Sequence, residues 1–209
     1  MATYGIQAVR AAMERVATTL DANRDYLTDL DQAIGDGDLG ITAGKMAGGL
    51  RTFLDAEQVG DIGKYLGLAG MAVNRAASSS LGTLLATALM RAGKEVQGKS
   101  SLEASDLASM LHAADVGIQE RGKARPGDKT VIDVINPAAA AYSAALEDGM
   151  DPSAATQQML EAAQQGLDTV TPIRSRIGRA SWVGERTEGK VDPGAAAGLL
   201  ILKAIAGRE

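Results

Sequence analysis

Leu27-Thr28-Asp29-Leu30-Asp31-Gln32-Ala33-Ile34-Gly35-Asp36-Gly37-Asp38-Leu39-Gly40 is the stretch on which the fold reading turns. Gly35, Gly37 and Gly40 spell G-x-G-x-x-G, which after a strand would announce a dinucleotide-binding α/β sheet. The residues before it, DYLTDLDQAI, are patterned as a helix, and two aspartates stand where a pyrophosphate needs backbone donors. The α/β reading therefore fails. A calcium-binding helix–loop–helix fails as well: counted from Asp36, the last ligand position falls on Ala47 where glutamate is required.

Outward from this stretch the chain reads as helix nearly end to end. Ile6, Val9, Met13, Val16 and Leu20 step by three and four, as do Leu107, Met110, Leu111, Ala114 and Ile118. Ser100-Ser101-Leu102-Glu103 reads as a capping box opening the second of these helices. Asp151-Pro152 and Asp192-Pro193 each read as an N-cap followed by proline at the first helical position. Eight or nine helices are expected, over 3–22, 24–34, 40–57, 60–78, 80–97, 101–122, 130–148, 152–175 and 193–207. Only Thr130–Ile135 is β-branched enough to compete as a strand, and one strand makes no sheet. Short connections make neighbours antiparallel. No linker divides the chain, so one all-α domain over 1–209, an up-and-down barrel or bundle of about eight helices, is expected.

Composition narrows the chemistry. Hydrophobic residues make up 45% of the 209 and aromatic residues only 3%, so the core must come from small and aliphatic side chains on closely packed helices. A net charge of −5 argues against nucleic acid as a partner. No cysteine is present, which excludes disulfides, thiol catalysis and Cys-ligated zinc. The one histidine, His112, lies mid-helix near the edge of an apolar face and reads as structural or surface. No signal peptide shows at the N-terminus, and no apolar run approaches the roughly 18 residues that span a bilayer. A cytoplasmic address and no membrane contact are the default expectation.

Three carboxylates gather at the opening stretch. Asp31 lies on the last turn of a helix, and Asp36 and Asp38 alternate with glycines in the turn that follows. Two readings stay open: Asp-Gly pairs that only make turns and caps, or carboxylates converging on a hard cation with room left for water and phosphate, the magnesium pattern. Further segments offer phosphate hosts. Arg121–Thr130 is a basic turn feeding a helix N-terminus, Arg179 stands among Gly178, Ala180 and Ser181, and Asp192-Pro193-Gly194 opens the last helix. The polar loop 177–193 is long for a helical protein, and Trp182 within it suggests an ordered, docked loop.

In this order the strings AIGDGDLG, RGKARPGDKT, GRASWVGER and DPGAAAG resemble those of the nucleotide-binding L subunits of dihydroxyacetone kinases. The resemblance covers essentially the whole chain and implies a barrel of eight helices holding ADP or ATP and two Mg2+ ions at one end. By motif match it makes Asp31, Asp36 and Asp38 the magnesium ligands and, with Arg179, the catalytic set. It lays Leu39, Gly40, Ile41 and Thr42 against the phosphates, and completes the pocket with Gly122, Val131, Arg179, Asp192, Pro193 and Gly194. Two departures stand out. Leu39 occupies the family's usual histidine position, removing a polar neighbour of the phosphates. Ser78-Ser79-Ser80-Leu81-Gly82 replaces a glycine-rich segment, which puts Ser80 and Leu81 at the nucleotide. The implied partners are a K subunit that binds dihydroxyacetone and a phosphotransferase-system phosphoryl donor. Three functions follow from these readings: a kinase subunit, a nucleotide-state sensor for a regulator, or a helical barrel for an apolar ligand with the aspartates as caps.

Overall fold

The computed structural model describes residues 3–56 and 59–208; the expected end of the third helix, at 57, lies outside them. Among the described residues the elements run β1 (Tyr4–Gly5), α1 (Ile6–Ala22), α2 (Arg24–Ile34), α3 (Leu39–Ala56), α4 (Ile62–Ala76), α5 (Ser80–Glu95), β2 (Ser101–Leu102), α6 (Ala104–Gly122), α7 (Ile132–Glu147), α8 (Pro152–Val170) and α9 (Pro193–Ala206). Two short 3-10 turns, Arg179–Trp182 and Gly184–Thr187, lie between α8 and α9. Eight of the helices close a ring in the order α1, α3, α4, α5, α6, α7, α8, α9 and back to α1, while α2 lies against α3 and α9. This is the expected all-α, up-and-down barrel. No helix among the described residues is long and apolar enough to cross a membrane.

Small residues set the spacing of the ring. A Cβ on Gly63 of α4 would strike the Gly93 carbonyl of α5 and come within 2.5 Å of Gln97 Cα, so these two backbones touch. A Cβ on Gly166 of α8 would strike the Asp133 carbonyl of α7. The last helix joins two halves of the core. Ala196, Ala197, Ile201 and Ala204 pack with α1, α3 and α5, whereas Ala195, Leu199 and Leu202 pack with α7 and α8.

Several helix ends differ from expectation, each for a local reason. Tyr4-Gly5 pairs antiparallel with Ser101-Leu102, so α1 begins at Ile6 and α6 at Ala104. The capping box of α6 is accordingly Glu103 with Asp106, not the serines before it. Thr130 and Val131 form a turn into α7, not a strand. Helix α8 stops at Val170, ahead of Pro172, and the Thr171 and Ile173 carbonyls turn to the Lys129 ammonium instead of continuing the ladder. Both Asp-Pro starts hold: Asp151 accepts from Ser153 N–H and Ala154 N–H, and Asp192 from Ala195 N–H at 2.7 Å.

Packing at this distance separates two glycines that look alike in sequence. Gly63→Ala is expected to destabilise the fold by about 1–3 kcal/mol, because backbone must shift to admit the methyl group. Gly48 of α3 is exposed with nothing near its absent Cβ, so Gly48→Ala is expected to stabilise by about 0.5–1 kcal/mol through helix propensity. Urea unfolding of both variants checks the pair, and equal effects would contradict the packing described.

Candidate functional site

Because directions alternate around the ring, the starts of α3, α5, α7 and α9 share one end with the finish of α6. The side chains bear this out. Gly122, closing α6, faces Leu84 on α5, and Gly194, opening α9, faces the Val131 N–H at the head of α7. Four helix N-termini, with first-turn N–H groups capped by Asp31, Ser79, Thr130 and Asp192, therefore bring the positive ends of their dipoles to this end, which suits an anion.

The opening stretch forms the acidic side of this end. Oxygens of Asp31, Asp36 and Asp38 lie within 4.8 Å of one another. Asp31 is fixed by accepting the Leu39 N–H at 3.1 Å. Gly37 has φ +78°, the left-handed region that lets the chain reverse between Asp36 and Asp38. A Cβ on Gly40 would strike Thr28 Oγ1 and the Arg24 carbonyl, so the glycine brings α3 onto α2. These glycines shape a turn that gathers carboxylates; they do not cradle a pyrophosphate beside a strand. Arg179 reaches across from the 171–192 loop, one guanidinium nitrogen pairing with both Asp36 and Asp38, the latter at 3.1 Å. These side chains are about half exposed, so the charges stay open to solvent and to ligand.

The residues named by resemblance gather at this end in different ways. Leu39, Leu81 and Val131 are buried in the core, so only their main chains are available to a ligand. Leu39 therefore contributes no side chain to the site, and its N–H is already given to Asp31. Thr42 is also buried, and its N–H donates to the Asp38 carbonyl at 3.0 Å. Ile41 is 56% exposed and Ser80 lies on the surface beside the capping Ser79, whose Oγ accepts the Gly82 N–H. Asp192 is buried, with Pro193 and Gly194 in the first turn of α9. Trp182 corrects an expectation: at 90% exposed it does not dock the loop. His112 is on the surface of α6, as read from sequence.

The loop 123–131 is also built differently from the basic phosphate turn expected of it. Arg121, Lys123 and Arg125 are exposed, but Lys129 is fully buried. Asp133 accepts from the Gly127 and Thr130 N–H groups, at 2.5 and 2.8 Å, and Asp128 accepts from Arg125 N–H at 2.9 Å. Sequence reading missed this scaffold, although the Thr130–Asp133 spacing is that of a side-chain cap and was the available signal.

Burial pushes the Asp192 carboxyl from its ordinary 3.8 up to about 6, against the opposing pull of the Ala195 N–H and the Lys129 ammonium. Between those values the folded chain holds a proton that the unfolded chain has released, so stability falls as pH rises through this window. Asp192→Asn keeps an oxygen for the Ala195 N–H and removes the titration. Urea unfolding is expected to show the variant gaining on the native chain by about 3 kcal/mol between about pH 4 and 7. A difference that stays flat across that range would contradict the burial argument.

Comparison with known proteins points to one group. A family model described as the DAK2 domain matches residues 33–207. The chain is 30% identical over 194 residues to the PEP-dependent dihydroxyacetone kinase, ADP-binding subunit DhaL, of Escherichia coli (strain K12), covering 93% of this chain and 92% of that one. It is 33% identical over 183 residues to the PEP-dependent dihydroxyacetone kinase 1, ADP-binding subunit DhaL, of Listeria innocua serovar 6a, covering 88% and 86%. The fold matches the crystal structure of the dihydroxyacetone kinase from C. freundii in complex with AMP-PNP and Mg2+ with a TM-score of 0.72 and 25% identity. That match takes in 100% of this chain and 35% of the other, so this chain spans about a third of its length.

Proposed function

This chain belongs to the DAK2-domain family, alongside the ADP-binding subunits of dihydroxyacetone kinases, and from that premise we propose that residues 1–209 form one domain acting as the magnesium-nucleotide subunit of a dihydroxyacetone-type kinase. The acceptor is a terminal hydroxyl of dihydroxyacetone, or of a related short-chain keto sugar or polyol, held on a separate K-type subunit. The carrying observation is the meeting of Asp31, Asp36 and Asp38 within 4.8 Å, with Arg179 paired to two of them.

The donor set fits magnesium: three hard oxygens, one from the last turn of α2 and two from the glycine turn after it, too few for a full cage and open to solvent. Asp31, Asp36 and Asp38 would hold two such ions, which when bound would supply charge neutralisation on the phosphates. Arg179 is placed to pass from its carboxylates to phosphate oxygens, where a guanidinium can bridge two acceptors. The main-chain N–H groups of Gly40 and Ile41 on α3, and of Ser80 and Leu81 at the start of α5, bind and orient the phosphate chain, and Gly122, Val131 and Gly194 leave space for the nucleoside. These residues position and stabilise charge, which is most of what phosphoryl transfer asks of a protein. Two relatives described as ADP-binding subunits of PEP-dependent dihydroxyacetone kinases support ADP as the bound nucleotide and a phosphotransferase-system subunit as the phosphoryl donor, with ATP as direct donor the second reading that the AMP-PNP complex supports.

Asp36→Ala is expected to abolish Mg2+-dependent ADP binding in calorimetry while circular dichroism stays unchanged, since Asp36 caps no helix and its loss relieves carboxylate repulsion. Normal ADP affinity in this variant would overturn the metal assignment. The chain alone is expected not to phosphorylate dihydroxyacetone, and turnover is expected once a dihydroxyacetone-binding subunit and a phosphoryl donor are added. Robust turnover by the isolated chain with ATP would overturn the two-subunit reading.

A further inference from the structure

Lys129 is a fully buried lysine with a left-handed backbone, φ +62°. Both features are costly for a non-glycine cationic residue, and both are over-determined by their surroundings. Its ammonium donates to the carbonyls of Thr171 at 2.8 Å, Ile173 at 2.8 Å and Thr187 at 2.7 Å, which uses all three of its N–H groups. Asp192 and Glu188 supply the nearby negative charge. With no donor left over and no exposure, Lys129 is not a phosphate-binding lysine, although it sits in a basic, glycine-turned loop.

The three carbonyls lie at the two ends of one excursion, Thr171 and Ile173 where it leaves α8 and Thr187 where it returns. Three further bonds close the same knot. Ser175 N–H donates to Thr187 Oγ1 at 3.0 Å, Thr187 Oγ1 donates to the Gly184 carbonyl at 2.8 Å, and Arg176 N–H donates to the Asp128 carbonyl at 3.1 Å. Arg179 stands between these ends, on a turn braced by Ser181 Oγ donating to the Gly178 carbonyl. We propose that Lys129 is a positioning residue: it clamps the two ends of the 171–187 loop so that the Arg179 guanidinium is held against Asp36 and Asp38. The inference rests on reading that cluster as the magnesium-nucleotide site.

A double-mutant cycle on the full chain tests it. Calorimetry with ADP and Mg2+ compares the native chain, Lys129→Met, Arg179→Ala and the double variant. Lys129→Met is expected to weaken ADP binding about tenfold in the native background and by less than about twofold once Arg179 is gone, because coupled residues are non-additive. Without nucleotide, trypsin is expected to cut after Arg174 and Arg176 faster in Lys129→Met than in the native chain, at unchanged helix content. The same weakening in both backgrounds, or native cleavage rates, would overturn the proposal. If Lys129→Met yields no folded protein, Thr187→Val, which removes the hydroxyl bonds of the same knot, takes its place in the cycle with the same two outcomes. A native chain that binds no ADP with Mg2+ would overturn the site reading instead, and the clamp is then decided by the cleavage rates alone.

Discussion

Backbone contact between helices is the constraint on which the rest of this molecule depends. With few aromatic side chains to fill space, the ring closes only where glycines and alanines let one helix rest on another, as Gly63 does on Gly93 and Gly166 on Asp133. Interiors packed this closely transmit displacement and do not absorb it. The position of one helix end thus fixes its neighbours, and the ends that carry function inherit that rigidity. Glycine serves the site for the same reason: Gly40 seats α3 on α2, which holds Asp36 and Asp38 within reach of Asp31.

On this frame the charges are sorted by depth. The exposed carboxylates face an exposed guanidinium, an arrangement in which solvent screens every partner and exchange with another cation or with phosphate costs little. The buried charges do a different job. Lys129 and Asp192 are held by main-chain carbonyls and N–H groups, so their role is to tie segments together. The exposed cluster is thus open in its contacts and fixed in its supports.

The same division is seen at Leu39 and Trp182. Leu39, where the resemblance leads one to expect a histidine, sends its side chain into the core while its N–H braces Asp31. An apolar side chain at this position thus serves the core and leaves the carboxylate turn intact. Trp182 shows the reverse case: the chain's one tryptophan, 90% exposed on the 171–192 loop, takes no part in docking it.

Sequence by itself determined the helices, because a period of three to four residues and Asp-Pro starts are local signals, and α9 and the Asp31–Gly40 turn were legible from them. It also named Asp31, Asp36 and Asp38 as candidates to converge, but the seating of α3 on α2 at Gly40 is what brings their oxygens within 4.8 Å of one another. Helix ends set by distant partners were not legible: nothing near Thr171 says that a lysine 42 residues earlier will take its carbonyl. Nor was the pairing of Arg179 with Asp36 and Asp38, which are 143 and 141 residues away along the chain. Only closure of the ring brings these groups together. Periodicity is written in each segment, but which segments meet is decided by packing the whole.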